Sequence, residues 1–304
     1  MLYCQAVLPR AGLGNKLFPW ARCLVFSRTH DVPMLATSWS QFSIGPLLRG
    51  QQDWRTYHNL FRNGEGDIGG LRRLWILNRA ASVAEPEGGV SVLPEPGRAA
   101  LVTFSGMGKH FGPLYGHHQK LGAALRALTR PPWVARADAA GGGTRYPVGI
   151  HVRLGDFSVP QSEDEMKTKG CVRTPLSWFI SSLNAIRREA GWPVPAFVVS
   201  DGSAAELAPL LSLDDVCLVN TGSSIGDMLL LSKASILIAT GGSSFSGWAA
   251  FLGQMPVIAH PGQNLAWFQL RPANGQFLGE FDPSAPDDAF LQQAAGILGR
   301  VAKH

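Results

Sequence analysis

The string Val148-Gly149-Ile150-His151-Val152-Arg153-Leu154-Gly155-Asp156 holds the side chains with the most chemical potential in this sequence. An apolar run passes straight into a histidine, an arginine and a Gly-Asp turn. Side chains alternate along a strand, so Gly149, His151 and Arg153 share one face while Ile150 and Val152 take the other. A guanidinium at the tip of a buried strand is costly to desolvate unless an anion meets it. Its planar fork suits phosphate, which makes a phosphate-bearing ligand one reading. An internal ion pair to Asp156 or another carboxylate is the other, and the string by itself leaves both open.

A second candidate is Thr240-Gly241-Gly242-Ser243-Ser244-Phe245-Ser246, which links an apolar strand to a helix. Its glycines let backbone approach a ligand, and a helix start offers unpaired N–H groups at the positive end of its dipole. The hydroxyls of Ser243, Ser244 and Ser246 add donors, which suits a diphosphate; the plain alternative is a serine-capped helix. Gly12-Leu13-Gly14-Asn15 follows the first strand and opens another helix. It is not the full dinucleotide fingerprint, since no acid about 20 residues on completes it, and a tight turn without a ligand explains it as well. Asp227 stands at a helix start, where a carboxylate complements the dipole.

The remaining polar clusters are weaker. Glu163-Asp164-Glu165 reads as a solvated acidic loop that also offers a general base. His110, His117 and His118 lack partners at metal-ligand spacing, and the sequence contains no Asp-x-Asp. No metal site is expected. Among nine tryptophans, Trp39, Trp54, Trp75, Trp248 and Trp267 are candidates for a sugar platform, although each is singly explained by packing.

The elements that must position these residues are clearest after residue 144. Strands at 148–152, 196–200, 216–220, 235–239 and 256–259 alternate with helices at 175–189, 204–211, 225–234 and 245–252. In this reading Thr174 caps the first helix and Pro175 opens it. Continuous apolar strands alternating with helices specify a parallel sheet covered on both faces, whose ligands bind beyond the carboxyl ends of the strands. Three polar turns meet at that edge: His151 to Asp156, Ser200-Asp201-Gly202 and Thr240 to Ser246. Before residue 144 the pattern gives strands at 2–8, 32–36 and 101–104, a helix to about Arg28 and another at 114–128 that Pro131-Pro132 ends. Residues 41–97 show no clear period, and the glycines in 138–144 read as a linker. The expected domains are 1–143 and 144–304.

Composition narrows the class. The 304 residues are 45% hydrophobic and 16% charged, as in a globular chain long enough for two cores. The net charge of +5 and pI near 9.2 fit an acidic ligand, but no Lys/Arg run or recognised motif points to nucleic acid. Four scattered cysteines without a Cys-x-x-Cys pair fit a reducing compartment. There is no apolar run of membrane-spanning length and no secretory pattern, so a soluble cytoplasmic protein is expected, with room for peripheral association at the inner face of the membrane.

Taken together, Gly12-Leu13-Gly14-Asn15-Lys16-Leu17-Phe18, His151-Val152-Arg153-Leu154-Gly155-Asp156 and Ser243-Ser244-Phe245-Ser246-Gly247-Trp248 resemble the inverting fucosyltransferase superfamily. The closest branch is glycosyltransferase family 11, the alpha-1,2-fucosyltransferases. The resemblance implies a GT-B-like α/β fold of two Rossmann-type domains with a donor cleft between them, and GDP-fucose held mainly by the C-terminal one. Arg153 would then bind the donor diphosphate, with Asp156 beside it in the catalytic motif. His151 and Asp227 would contact the guanine end. Ser243, Ser244 and Phe245 would line the diphosphate pocket, and Gly12, Gly14 and Asn15 would close over it. Such enzymes use no metal and take a glycan acceptor, which here includes a lipid-linked one. Another nucleotide-sugar donor, or nucleotide or glycan binding without transfer, are the rival functions. The family often has a second arginine where Leu154 stands, glutamines at Lys16 and Pro19, and a tryptophan at Gly247.

Overall fold

The computed structural model describes residues 1–40, 57, 59–86, 99–263, 268–271 and 275–302, without the Glu163 side chain. The chain divides into two compact units, Met1–Arg130 and Pro131–His304.

The first unit is built on a parallel sheet. Strands β1 (Leu2–Val7), β2 (Ala81–Ala84) and β3 (Ala100–Ser105) lie in the order β1-β3-β2. Helix α1 (Leu13–His30) packs on β1 and β3 and buries Leu17, Phe18, Ala21 and Cys23 completely. Helices α2 (Gly70–Arg79) and α3 (His118–Leu128) are the unit's other α-helices among the described residues. The strand expected at 32–36 is reduced to single bridges, Cys4 to Met34 and Leu35 to Ile68, which carry the parallel pairing beyond β1. Residues 41–56 lie outside the described residues, and with them Trp54.

The second unit carries six parallel strands: β4 (Val148–Val152), β5 (Ala196–Ser200), β6 (Val216–Leu218), β7 (Ile236–Ala239), β8 (Val257–Ala259) and β9 (Leu278–Glu280), in the order β6-β5-β4-β7-β8-β9. β4 lies inside the sheet and every one of its residues is buried. Helices α4 (Pro131–Ala139), α5 (Glu163–Thr168), α6 (Leu176–Ala190), α7 (Ala208–Leu211), α8 (Ser224–Leu231), α9 (Ser244–Gly253) and α10 (Asp288–Val301) surround it.

The expected alternation along β4 holds. Val148, Ile150 and Val152 join a core with Phe179, Leu183 and Ile186 of α6 and Phe290, Ala294 and Leu298 of α10. Gly149 faces the other way: a Cβ there would meet Ala234 at 2.9 Å, Phe197 at 3.0 Å and Leu231 at 3.4 Å. That face also carries α8, which packs against α9 and α4.

Three local expectations are corrected. Pro131-Pro132 does not end the helix before it, which stops at Leu128 with Thr129 as cap; it opens α4, since a proline in the first turn gives up an N–H that has no helical acceptor. α4 packs against α8, and the division between the two compact units falls before Pro131. The glycines at 141–143 are not a free linker: Gly143 has φ +82°, and a Cβ on it would strike the Lys233 carbonyl at 2.3 Å. Finally, Pro175 occupies the cap position of α6, and the Thr174 hydroxyl instead donates to Gln263 Oε1 at 2.5 Å.

Candidate active site

Three turns gather at the carboxyl edge of the six-stranded sheet, because β4, β5 and β7 are neighbours in register: His151 pairs with Val199 on one side and with Ala239 on the other. Thr240 ties the first turn to the third. Its hydroxyl donates to the His151 carbonyl at 2.8 Å and accepts the Arg153 N–H at 3.0 Å. The backbone of Arg153 is thereby fixed at the end of β4.

The guanidinium is held by two acids. Arg153 Nε and Nη2 donate to Asp156 Oδ1 at 3.1 and 2.5 Å, and Nη1 forms an ion pair with Asp201 Oδ2 at 2.7 Å. Its ring neighbour is Phe157, with Cζ 5.7 Å from the centroid. Of the two readings the sequence left open, the internal ion pair is therefore realised. Asp201 does more than neutralise charge: it accepts the N–H of Leu154 at 2.8 Å and that of Gly155 at 3.1 Å. A Cβ on Gly155 would lie 2.2 Å from Asp201 Oδ2, so this turn closes on the carboxylate only with glycine there. Arg173 braces the turn from its other side, donating from Nε to the carbonyls of Leu154 and Phe157 at 2.9 and 3.0 Å.

His151 lies under the first turn of α9. Nδ1 is 2.6 Å from Ser246 Oγ, and the ring stacks on Phe245 with centroids 4.9 Å apart. Burial lowers its pKa to about 3, with Asp201 opposing and Arg153 reinforcing the shift. The imidazole is neutral at physiological pH, so it packs and hydrogen-bonds without adding charge to the edge.

The start of α9 is built for close approach. Gly242 has φ +70°, and a Cβ on Gly241 would fall 1.5 Å from the Gln263 carbonyl. Gln263 is itself anchored, with Nε2 donating to the Val172 carbonyl at 2.7 Å. Ser243 holds the cap position but makes no side-chain capping bond. Ser223, at the start of α8, instead accepts the Gly226 N–H at 3.1 Å. The first turn of α9 thus begins beyond the carboxyl end of β7 with N–H groups that no side-chain cap takes up, an arrangement that attracts an anion.

Other expected site residues have local duties. Asp227 Oδ1 accepts both the N–H and the hydroxyl of Thr221 at 2.8 Å, which ties the β6–α8 turn to the helix start. Gly12, Gly14 and Asn15 belong to the first unit, where Gly12 caps α1 and accepts the Asn15 N–H at 3.1 Å. The next residue, Lys16, is 1% exposed and donates to the Pro9 carbonyl at 2.8 Å. The acidic 163–165 stretch is helical rather than looped, with Glu165 accepting the Gln161 N–H. Trp39 and Trp248 are buried, Trp75 is exposed, and Trp267 lies outside the described residues. Among the described residues no group of three His, Cys, Asp or Glu is placed to hold a metal ion, and no helix is long and apolar enough to cross a membrane.

Sequence reasoning passed over Asp201 as a site residue, together with Arg173 and Gln263. The partners of Asp201 lie 46 and 47 positions earlier, so no local pattern announces them; its place in a polar turn after β5 was the available signal.

No family model matches the chain, and neither does any curated protein sequence. Solved structures do. NodZ alpha-1,6-fucosyltransferase co-crystallised with GDP superposes with a TM-score of 0.52 at 17% identity, covering 86% of this chain and 95% of that one. The fucosyltransferase NodZ from Bradyrhizobium gives 0.52 at 16% identity over 84% and 95%. POFUT1 in complex with GDP is also similar, with a TM-score of 0.48 at 12% identity over 85% and 97%. The NodZ matches establish the fold: this chain shares the α/β architecture of that fucosyltransferase.

Proposed function

We propose that this protein is a glycosyltransferase that moves fucose from GDP-fucose to a hydroxyl of a glycan acceptor, with inversion and without a metal ion. The observation that carries the reading is the carboxyl edge of the six-stranded sheet. There an arginine set between two carboxylates and a helix start without a side-chain cap follow neighbouring strands, in the fold of a fucosyltransferase crystallised with GDP. An N–H-rich helix start favours a diphosphate, and the guanidinium would meet it by exchanging a carboxylate partner for phosphate oxygens.

In the proposed reaction the acceptor oxygen bonds to the anomeric carbon as the bond from that carbon to the diphosphate oxygen breaks. The electron pair leaves with GDP and the acceptor proton passes to a base or to solvent. Arg153 and the first turn of α9 stabilise the charge growing on the departing diphosphate, the largest single contribution expected of the protein. Asp156 and Asp201 act as positioning residues that hold the guanidinium and its turn in place. His151 and Asp227 border the guanine, and Ser243, Ser244 and Phe245 line the diphosphate pocket. The motif resemblance alone adds Gly12, Gly14 and Asn15 to the donor-binding residues. The acceptor is assigned to the first unit, where two cavities of about 370 and 300 Å³ are lined solely by first-unit residues, Trp20, Arg28, Asn63 and Asp67 among those of the larger. The motif resemblance favours an alpha-1,2 linkage and a glycan assembled in the cytoplasm.

Release of GDP from GDP-fucose in the presence of a glycan panel, with EDTA present, tests the reading. Arg153→Ala is expected to lower turnover by at least about 100-fold. Release from GDP-mannose or a UDP-sugar, with none from GDP-fucose, replaces the donor. GDP binding with no release from any donor establishes the binding-protein alternative, for which the internal pairing of Arg153 is the supporting observation.

A further inference from the structure

Helix α2 is amphipathic in an inverted sense. Ile76 anchors it, 1% exposed, in a small core with Tyr3, Leu35, Ile68 and Leu101. The opposite stripe is apolar as well: Leu71, Leu74 and Trp75 are 84%, 51% and 54% exposed. Spacing of three and four residues places these side chains on one outward face. Three of the eight exposed large apolar side chains among the described residues thus stand on this ten-residue helix. Arg72, Arg73 and Arg79 share it and no acid does. The Arg79 guanidinium lies 5.9 Å from the Trp75 ring centroid, so one flank of the stripe is cationic.

An outward Leu-Leu-Trp stripe on a helix that carries only positive charge matches the requirements of a bilayer surface. Leucines enter the headgroup–acyl boundary, the indole settles at headgroup level, and guanidinium groups meet lipid phosphates. We propose that α2 docks this protein onto membranes that contain anionic lipids. A second copy of the chain is the poorer occupant, because a two-fold contact through this stripe brings the arginines of both copies together without an acid on either helix. A convex single-helix stripe also lacks the groove that a peptide would fill. This inference is independent of the transfer reaction, and its test needs neither donor nor acceptor.

Vesicle flotation provides the test. The full chain is mixed with vesicles of phosphatidylcholine alone, or of equimolar phosphatidylcholine and phosphatidylglycerol. The protein is expected to float with the mixed vesicles, weakly with the neutral ones, and less as salt rises. Leu74→Ser with Trp75→Ser should reduce binding by about tenfold or more. Arg72→Gln with Arg79→Gln should reduce it by about 30-fold, at roughly 1 kcal/mol per arginine. These side chains are solvent-facing, so thermal unfolding should be unchanged in both variants. Val159→Ser, at a residue 60% exposed in the second unit, should float normally. The proposal is overturned if the protein does not float with mixed vesicles or if either α2 variant floats like the parent. It is also overturned if Leu74→Ser/Trp75→Ser abolishes a dimer seen by light scattering and flotation is absent.

Discussion

The Arg153–Asp201 pair can be weighed by a double-mutant cycle. Their side chains are 23% and 29% exposed and meet at 2.7 Å. The pair is therefore drier than the surface ion pairs worth up to about 1 kcal/mol, yet wetter than the buried pairs whose rupture costs about 3–5 kcal/mol. A coupling of about 1–2 kcal/mol follows from that intermediate position. The single substitutions should be unequal. Arg153→Ala leaves Asp201 still accepting two backbone N–H groups, so it should destabilise by only about 1–2 kcal/mol. Asp201→Ala strands the Leu154 and Gly155 N–H groups and leaves the guanidinium with Asp156 alone, and should cost about 2–4 kcal/mol. Urea unfolding of the two single variants, the double variant and the parent gives all four corners. Fluorescence of Trp178 and Trp248, both buried in the second unit, reports the relevant transition. Coupling near zero, or Arg153→Ala costing as much as Asp201→Ala, would refute the view that Asp201 organises this turn.

Other consequences follow from the same geometry. The folded-state pKa of His151 is lowered to about 3, against an unfolded value near 6.5. Between these values the unfolded chain holds a proton that the native state lacks, so stability is full above pH 6.5 and declines as pH falls toward 3. Relative to His151→Asn, the parent should lose about 1.4 kcal/mol per pH unit in that window; parallel pH profiles would place the histidine in a wetter site. Lys16, lowered to about 8 by burial, titrates in the opposite range. The unfolded chain keeps its proton above pH 8, so the parent should gain stability on Lys16→Met between pH 8 and 10.5, and equal curves would count against a desolvated ammonium. Gly241→Ala places a methyl against the Gln263 carbonyl and should cost more than about 3 kcal/mol or prevent folding, whereas Gly12→Ala, with open space around it, should be mild in thermal unfolding.

Much of the second unit was legible because its strands are continuous apolar runs and its helices carry clear stripes. The alternation along β4 correctly put Ile150 and Gly149 on opposite faces, which the fold turns toward the α6–α10 core and toward α8 respectively. Signals of short range were harder. β9 is three residues long and contains a glycine, too little for a period. α10 went unread although Asp287 caps it openly, accepting the N–H groups of Ala289 and Phe290 at 2.8 and 3.1 Å. Pro131-Pro132 was ambiguous because proline both stops a helix and starts one. The arginine's partners were half legible: Asp156 is three residues away and was named, whereas Asp201 arrives through the pairing of β4 with β5. The exposure of the α2 stripe was not readable at all, since an apolar side chain in a sequence does not reveal which face the fold leaves uncovered.

Calorimetric titration of GDP into the parent and into Arg153→Ala, with EDTA present and UDP as comparison, addresses the proposed donor site most directly. The account predicts that GDP binds, that UDP binds far more weakly, and that loss of the guanidinium weakens GDP by about 10- to 100-fold, the worth of a charge-assisted contact. Equal GDP affinity in the two proteins, or none in the parent, would contradict it.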